Sequence, residues 1–202
     1  MENTYIDSFN MERAKKWNRA CAYAGAYMER FTNNPYHNFS HAKDVAAAAA
    51  KICYKENVSD YDSFIVMSAA IFHDAVFKAG AEDNEERSGR VAGQLLCRAG
   101  YTRPERDMIT QLILATKMPV APKSLLEKVL CDADLDNLSR DDFLEKGELV
   151  RRELGIDNGK RWYSCQLGFL KSHSYHTDYK QKSTREALAK NIARLEEITG
   201  VA

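Results

Sequence analysis

Two of the chain's five histidines fall four residues apart, His37 and His41, in the stretch PYHNFSHAKDV from Pro35 to Val45. A third, His73, is followed at once by Asp74 at the end of the apolar segment AAIFHDA. Burying an ionisable pair beside so apolar a wall costs free energy unless the groups pair or share a cation. A further stretch alternates carboxylates with apolar residues, Leu130-Cys131-Asp132-Ala133-Asp134-Leu135-Asp136. Two imidazoles and two carboxylates form a mixed nitrogen and oxygen donor set that suits a divalent transition metal and leaves positions for water and substrate. The candidate ligands are His41, His73, Asp74 and Asp134, and the cofactor expected is a divalent ion, one of Mn, Fe, Co, Ni, Zn or Mg. At about 100° per residue, Asp132 and Asp136 share one face of a helix while Asp134 lies roughly 160 to 200° away from each. Only one of these faces can meet the metal.

The elements that must position these groups read as helices throughout. Nine can be drawn. The first runs from about Met11 to Phe31. The second starts after Ser40 and carries the alanine run Ala46 to Ala50. The third opens at the pair Ser59/Asp62 and continues through His73 and Asp74 to Ala75. The fourth begins at Asp83/Glu86 and stops at Gly100, and the fifth opens with Thr102 and Glu105 around Pro104. The sixth covers roughly Leu125 to Leu138, the seventh Ser139 to Gly155, and the eighth holds Trp162, Cys165, Phe169 and Leu170. The ninth starts at a box of Ser183 and Glu186 and stops at Gly200. No run of period two occurs. The expectation is an all-α fold in one domain spanning residues 1–202, a helical bundle.

Composition narrows the class. Lys plus Arg equals Asp plus Glu at 29 each, so no global field gathers nucleic acid or anionic lipid. The five cysteines are odd in number and never paired as C-x-x-C, which fits a reduced, cytoplasmic protein. The first residues lack the pattern of a signal peptide, and the longest apolar run, Phe64 to Phe72, is too short for a bilayer. Asn38, Asn57 and Asn137 begin Asn-x-Ser triplets, but Ser40, Ser59 and Ser139 each precede a helical pattern, and capping accounts for them. Phosphate-binding glycine loops, G-x-S-x-G elbows and H-E-x-x-H are absent.

The order H…HD…D in a helical chain of this length resembles the HD superfamily of metal-dependent phosphohydrolases. Tyr36-His37-Asn38-x-x-His41-Ala42-x-Asp44-Val45 resembles a segment of cyclic nucleotide phosphodiesterases, and Ala133-Asp134-Leu135 resembles their later A-D-L. Small bacterial HD proteins are similar in the stretches FHDAVF, DNEERS and DADL. The resemblance implies an HD or phosphodiesterase-like fold and hydrolysis of a phosphoester or phosphoanhydride in a small nucleotide-like substrate. It makes His41, His73, Asp74 and Asp134 the ligands, prefers Asp134 over Asp132, and makes His37 the proton donor. An imidazole titrates near neutrality, which suits that task.

Around this centre, Glu86 or Asp83 would orient the attacking water, and Lys78, Arg87 and Lys117 would meet the phosphate. His173 and His176 stay outside the metal set. The phosphodiesterases have a much larger catalytic domain, so cyclic nucleotide specificity does not transfer. The small bacterial proteins would show a histidine shortly after A-T-K, where this chain reads Ala115-Thr116-Lys117-Met118-Pro119-Val120. Two rivals share the scaffold, a non-catalytic sensor of metal and nucleotide and a di-iron oxygenase. The partner expected is a small phosphorylated substrate, without nucleic acid or membrane, and a homodimer is the base-rate assembly.

Overall fold

The computed structural model describes residues 2–157 and 159–201. Met1, Asn158 and Ala202, which belong to the expected 1–202 span, lie outside the described residues. Ten α-helices and one 3-10 turn follow one another: α1 Glu2–Phe31, α2 Phe39–Lys55, α3 Asp60–Ala70, α4 Asn84–Ala99, α5 Arg103–Ala115, α6 Leu125–Asp134, the 3-10 turn Asp136–Ser139, α7 Phe143–Glu153, α8 Lys160–Ser172, α9 Asp178–Ser183 and α10 Arg185–Thr199. There is no strand among the described residues, so the all-α fold is as expected. None of the helices is long and apolar enough to cross a membrane.

Two hydrophobic clusters organise these helices. The larger is built from α1 to α6, with Met28, Ile52, Ile65, Phe72, Leu96 and Ile113 among its buried side chains. In α2 the buried positions are Ala42, Val45, Ala46, Ala49, Ile52 and Cys53, a helical stripe, and His41 begins the same face at the helix N-terminus. The alanines let α3 and α6 approach α2 closely. The smaller cluster joins the 3-10 turn to α7, α8 and α10 through Leu138, Phe143, Leu167, Leu170 and Leu195.

Several helix starts follow the sequence. Ser59 caps α3 by accepting the Asp62 N–H, and Thr102 with Glu105 forms a full capping box on α5. Gly100 and Gly200 end their helices with left-handed φ of 93° and 70°.

Others differ, each for a physical reason. Asp83 makes no side-chain cap on α4; the loop before it is held by Asn84, whose amide donates to the Lys78 carbonyl and accepts its N–H. Ser183 and Glu186 do not form a box, because the chain breaks there into α9 and α10 as Thr184 donates its hydroxyl to the Lys180 carbonyl. Ser40 lies inside α2, whose cap is Asn38, and Ser139 ends the 3-10 turn, so of the three serines only Ser59 caps. The third helix stops at Ala70, leaving His73 and Asp74 in the turns that follow. The sixth stops at Asp134, so Asp136 belongs to the 3-10 turn.

Asp132 is fully buried and accepts hydrogen bonds from the His176 and Thr177 backbone N–H groups and the Thr177 hydroxyl, at 2.8, 2.8 and 2.7 Å. It pins the segment before α9 to α6. Asp132→Ala strands two backbone donors, so we expect a loss of about 3 kcal/mol in urea unfolding, without loss of metal binding.

Candidate metal centre

Three separate pieces of backbone bring the candidate ligands together. His41 comes from the first turn of α2, His73 and Asp74 from the turns after α3, and Asp134 from the last residue of α6. Asn38 fixes the first piece. Its side-chain oxygen accepts the N–H groups of Ser40 and His41, and its amide donates to the carbonyls of Asn34 and Pro35. Asn38 therefore ties the loop carrying His37 to the helix carrying His41.

The ligand atoms of His41, His73, Asp74 and Asp134 all lie within 4.8 Å of one another, and the group could hold a metal ion. His41 Nε2 is 3.2 Å from Asp134 Oδ1 and 3.5 Å from Asp74 Oδ2. His73 Nε2 is 2.9 Å from Asp74 Oδ2 and 3.1 Å from Asp134 Oδ1. The two histidines are almost fully buried.

His73 Nδ1 donates to the Ala70 carbonyl at 2.8 Å, and an acceptor there settles the neutral tautomer. In that tautomer Nε2 carries a lone pair aimed at two carboxylate oxygens. Such an arrangement repels itself unless a proton or a cation sits between the groups. Protons are one solution. Burial pulls His73 and His41 down, yet the facing carboxylates carry both above the ordinary imidazole range, His73 far above. Burial likewise pushes Asp74 and Asp134 up, and the histidines hold both below the usual carboxylate range. A divalent cation is the other solution, and imidazole with carboxylate is the donor chemistry that takes one. The residues fit a metal.

His37 stands beside this cluster, with Nε2 3.9 Å from Asp74 Oδ2. Its ring stacks on Phe77 at 3.6 Å between centroids. Its Nδ1 contacts Glu153 Oε1, while Glu153 Oε2 accepts the backbone N–H groups of Tyr36 and His37 at 2.9 Å each. Burial raises Glu153, but His37 and those N–H groups hold its carboxyl below the ordinary value. The ionised Glu153 makes Nδ1 the donor and leaves Nε2 turned toward Asp74.

The other expected residues are dispersed. Lys117 Nζ pairs with Glu86 Oε1 at 2.7 Å, Arg87 with Asp83 at 3.9 Å, and Lys78 is exposed. It is Glu85, not Glu86, whose carboxyl is raised by burial and then by the charge of Asp74. The cations beside the ligands are Arg140 and Lys146, which line a narrow crevice with His41 and Asp134. Lys146 pairs with Asp44 at 2.8 Å, and Arg140 grips Asp142 with two hydrogen bonds. Asp136 pairs with Lys180 at 2.7 Å and lines the same crevice as Arg140, outside the ligand cluster itself. His173 and His176 take no part in the cluster.

Glu153, Phe77, Arg140 and Lys146 are the residues that the sequence reading missed. Nothing local marks Glu153 in ELVRRELG, a charged helix by composition. A cavity of about 480 Å³ also opens on Asp134 and His37, walled by Leu138, Phe143, Trp162 and Phe169.

No protein-family model matches the chain, and no curated protein matches it. Among solved structures, the chain is similar to Bacillus subtilis YpgQ, determined as a crystal structure in complex with ADP. The TM-score is 0.66 with 20% identical residues, covering 92% of this chain and 96% of that one. At that identity the likeness shows the fold alone, all-helical along nearly the full length of both chains.

Stability of the metal-free protein should depend on pH in a defined sense. A histidine raised above its unfolded value near 6.5 stabilises fully below that pH, and the contribution is lost as pH rises through the folded value. An aspartate depressed below 3.8 stabilises fully above that pH and loses the contribution as pH falls through the folded value. Metal-free Tm should therefore peak between about pH 4 and 6.5 and fall toward pH 8. A divalent ion competes with the histidine protons, so Mn²⁺ should raise Tm more at pH 8 than at pH 5.5, as measured by thermal unfolding with and without chelator.

Proposed function

We propose that the chain is a metal-dependent phosphohydrolase acting on a phosphoester or phosphoanhydride bond of a small nucleotide-like substrate. The observation that carries this reading is the convergence of His41, His73, Asp74 and Asp134 within 4.8 Å, with His37 at its edge. The fold likeness to a protein crystallised with ADP supports the nucleotide class.

In this reading His41, His73, Asp74 and Asp134 hold one divalent ion. Once bound, such an ion polarises a phosphoryl oxygen and lowers the pKa of coordinated water. The remaining work belongs to the protein. The Asp74 carboxylate faces both the ligands and His37, where it can accept a hydrogen bond from the attacking water and orient it. His37 gives its Nε2 proton to the leaving oxygen as the phosphorus–oxygen bond breaks. Glu153 at Nδ1 holds the ring in place with Nε2 turned to the site. Phe77 covers one face of the ring and keeps bulk water from it. Of the acidic residues opening α4, Glu86 is held by Lys117, and Glu85 lies within the field of Asp74. Arg140 and Lys146, rather than Lys78, Arg87 and Lys117, are the cations positioned to approach a phosphate at the ligands.

The same reading takes the chain as one functional unit over 1–202, cytoplasmic, with a small phosphorylated partner and no nucleic acid, working as a homodimer.

Product release from a panel of nucleotides and phosphoesters with Mn²⁺, Co²⁺, Ni²⁺ or Mg²⁺ tests it. Asp74→Ala should lose turnover at least about a hundredfold, and His37→Ala about 10²-fold or more while still binding metal. Folded, metal-loaded protein without turnover on the whole panel would move the reading to the sensor or, if oxygen is consumed, to the oxygenase.

A further inference from the structure

A second, smaller cavity opens where α2, the end of the 3-10 turn and the junction of α9 with α10 meet. Its lining is basic. Lys51 of α2, Arg140 just after the 3-10 turn and Lys180 of α9 all reach it, against one carboxylate, Asp136. At about 230 Å³ the space falls below the range of drug-sized sites, about 300–1,000 Å³, so its occupant is small.

The fold does not use up these cations. Lys180 is 2% exposed, and its ammonium is held by Asp136 Oδ1 at 2.7 Å and by Ser139 Oγ at 3.3 Å. A lysine this deeply buried needs an opposite charge, and the one carboxylate of the cavity is committed to it. Arg140 uses Nε and Nη2 on Asp142, but its Nη1 stands 3.9 Å from Asp44 and from Asp136, beyond hydrogen-bond reach. Lys51 has no carboxylate partner among the described residues. Two cationic donors at the cavity therefore lack a hydrogen-bonded anion. The Ser183 hydroxyl, also in the lining, makes no hydrogen bond among the described residues. Thr184 gives its own hydroxyl to the Lys180 carbonyl and leaves the first turn of α10 without a side-chain cap. Ammonium, guanidinium and hydroxyl donors thus outnumber the acceptors, the complement of a tetrahedral oxyanion.

We propose that this cavity binds a small phosphate oxyanion, orthophosphate or pyrophosphate, with Lys51, Arg140 and Ser183 as its direct donors and Lys180 adding a fixed buried charge. Arg140 and Asp136 also wall the crevice that contains His41 and Asp134, so the site adjoins the metal centre without sharing its ligands. The proposal does not depend on the hydrolase reading. Where that reading holds, these anions are among those that cleavage of a phosphoanhydride releases.

The test needs neither metal nor turnover. Metal-free protein is titrated calorimetrically with orthophosphate and with pyrophosphate in chloride buffer at about 0.15 M ionic strength. At least one should bind saturably, and the tighter of the two identifies the occupant. Lys51→Glu and, separately, Ser183→Asp each place a carboxylate at the cavity and should weaken that binding about tenfold or more, with circular dichroism confirming a folded chain. Lys146→Ala, which removes a cation from the crevice and none from this cavity, should bind as the parent does. The proposal is overturned if neither anion saturates, if either carboxylate variant binds as tightly as the parent, or if Lys146→Ala weakens binding more than Lys51→Glu, which would put the anion at the metal centre. Anion binding in a protein without turnover would sustain the site and count against the hydrolase. Turnover in a protein that binds neither anion would remove the site and leave the hydrolase reading standing.

Discussion

Two imidazole nitrogens and two carboxylate oxygens are held against one another at 2.9 to 3.5 Å in a nearly dry place, and the rest of the molecule is arranged around that conflict. Like lone pairs at this distance do not stay together by themselves. The protein forces them to. The Asn38 cap, the turn in which His73 Nδ1 is tied to the Ala70 carbonyl, and the end of α6 at Asp134 each fix one piece of backbone. None of the ligands can retreat without breaking one of those anchors. Protons can quiet the site, as the opposed shifts of the histidines and aspartates show. A divalent ion would do so by taking both imidazole lone pairs and the facing carboxylate oxygens as its ligands.

The centre lies where the two hydrophobic clusters meet. The larger cluster, shared by α1 to α6, supplies the ligands. The smaller, formed by the 3-10 turn, α7, α8 and α10, supplies Glu153 on the far side of His37 and the walls of the cavity. Asp132 and Asp134 on one short helix divide the labour: one faces the loop before α9 and anchors it, the other faces the ligands. Two residues of spacing in a helix place them on opposed faces, so one helix both holds the two clusters in register and contributes a ligand.

Much of this is legible in the sequence because the signals are local. The helical stripes, the Ser59 and Thr102 caps and the stops at Gly100 and Gly200 rest on spacing within one element. The four ligand candidates come together as expected, because each sits in a short stretch whose residue types are themselves diagnostic. What the sequence hides is long range. Glu153 reaches Tyr36 and His37 across more than a hundred residues and lies in a helix that composition marks only as charged. Lys78, Arg87 and Lys117 follow the ligand-bearing stretches along the chain, but Arg87 and Lys117 pair with carboxylates at the surface, while Arg140 and Lys146 arrive from the far half. The short α9 ahead of the expected start at Ser183 has only six residues, too few for a helical period to register.

On the reading proposed above, the cluster of His41, His73, Asp74 and Asp134 holds a divalent cation. Crystals of the protein grown with Mn²⁺ and measured at the manganese absorption edge test it most directly. The account predicts one strong anomalous peak bonded to His41, His73, Asp74 and Asp134, present in the parent and absent in Asp134→Ala. A cluster that stays empty at saturating Mn²⁺, or a peak bound elsewhere on the chain with these four residues merely paired to one another, would contradict it.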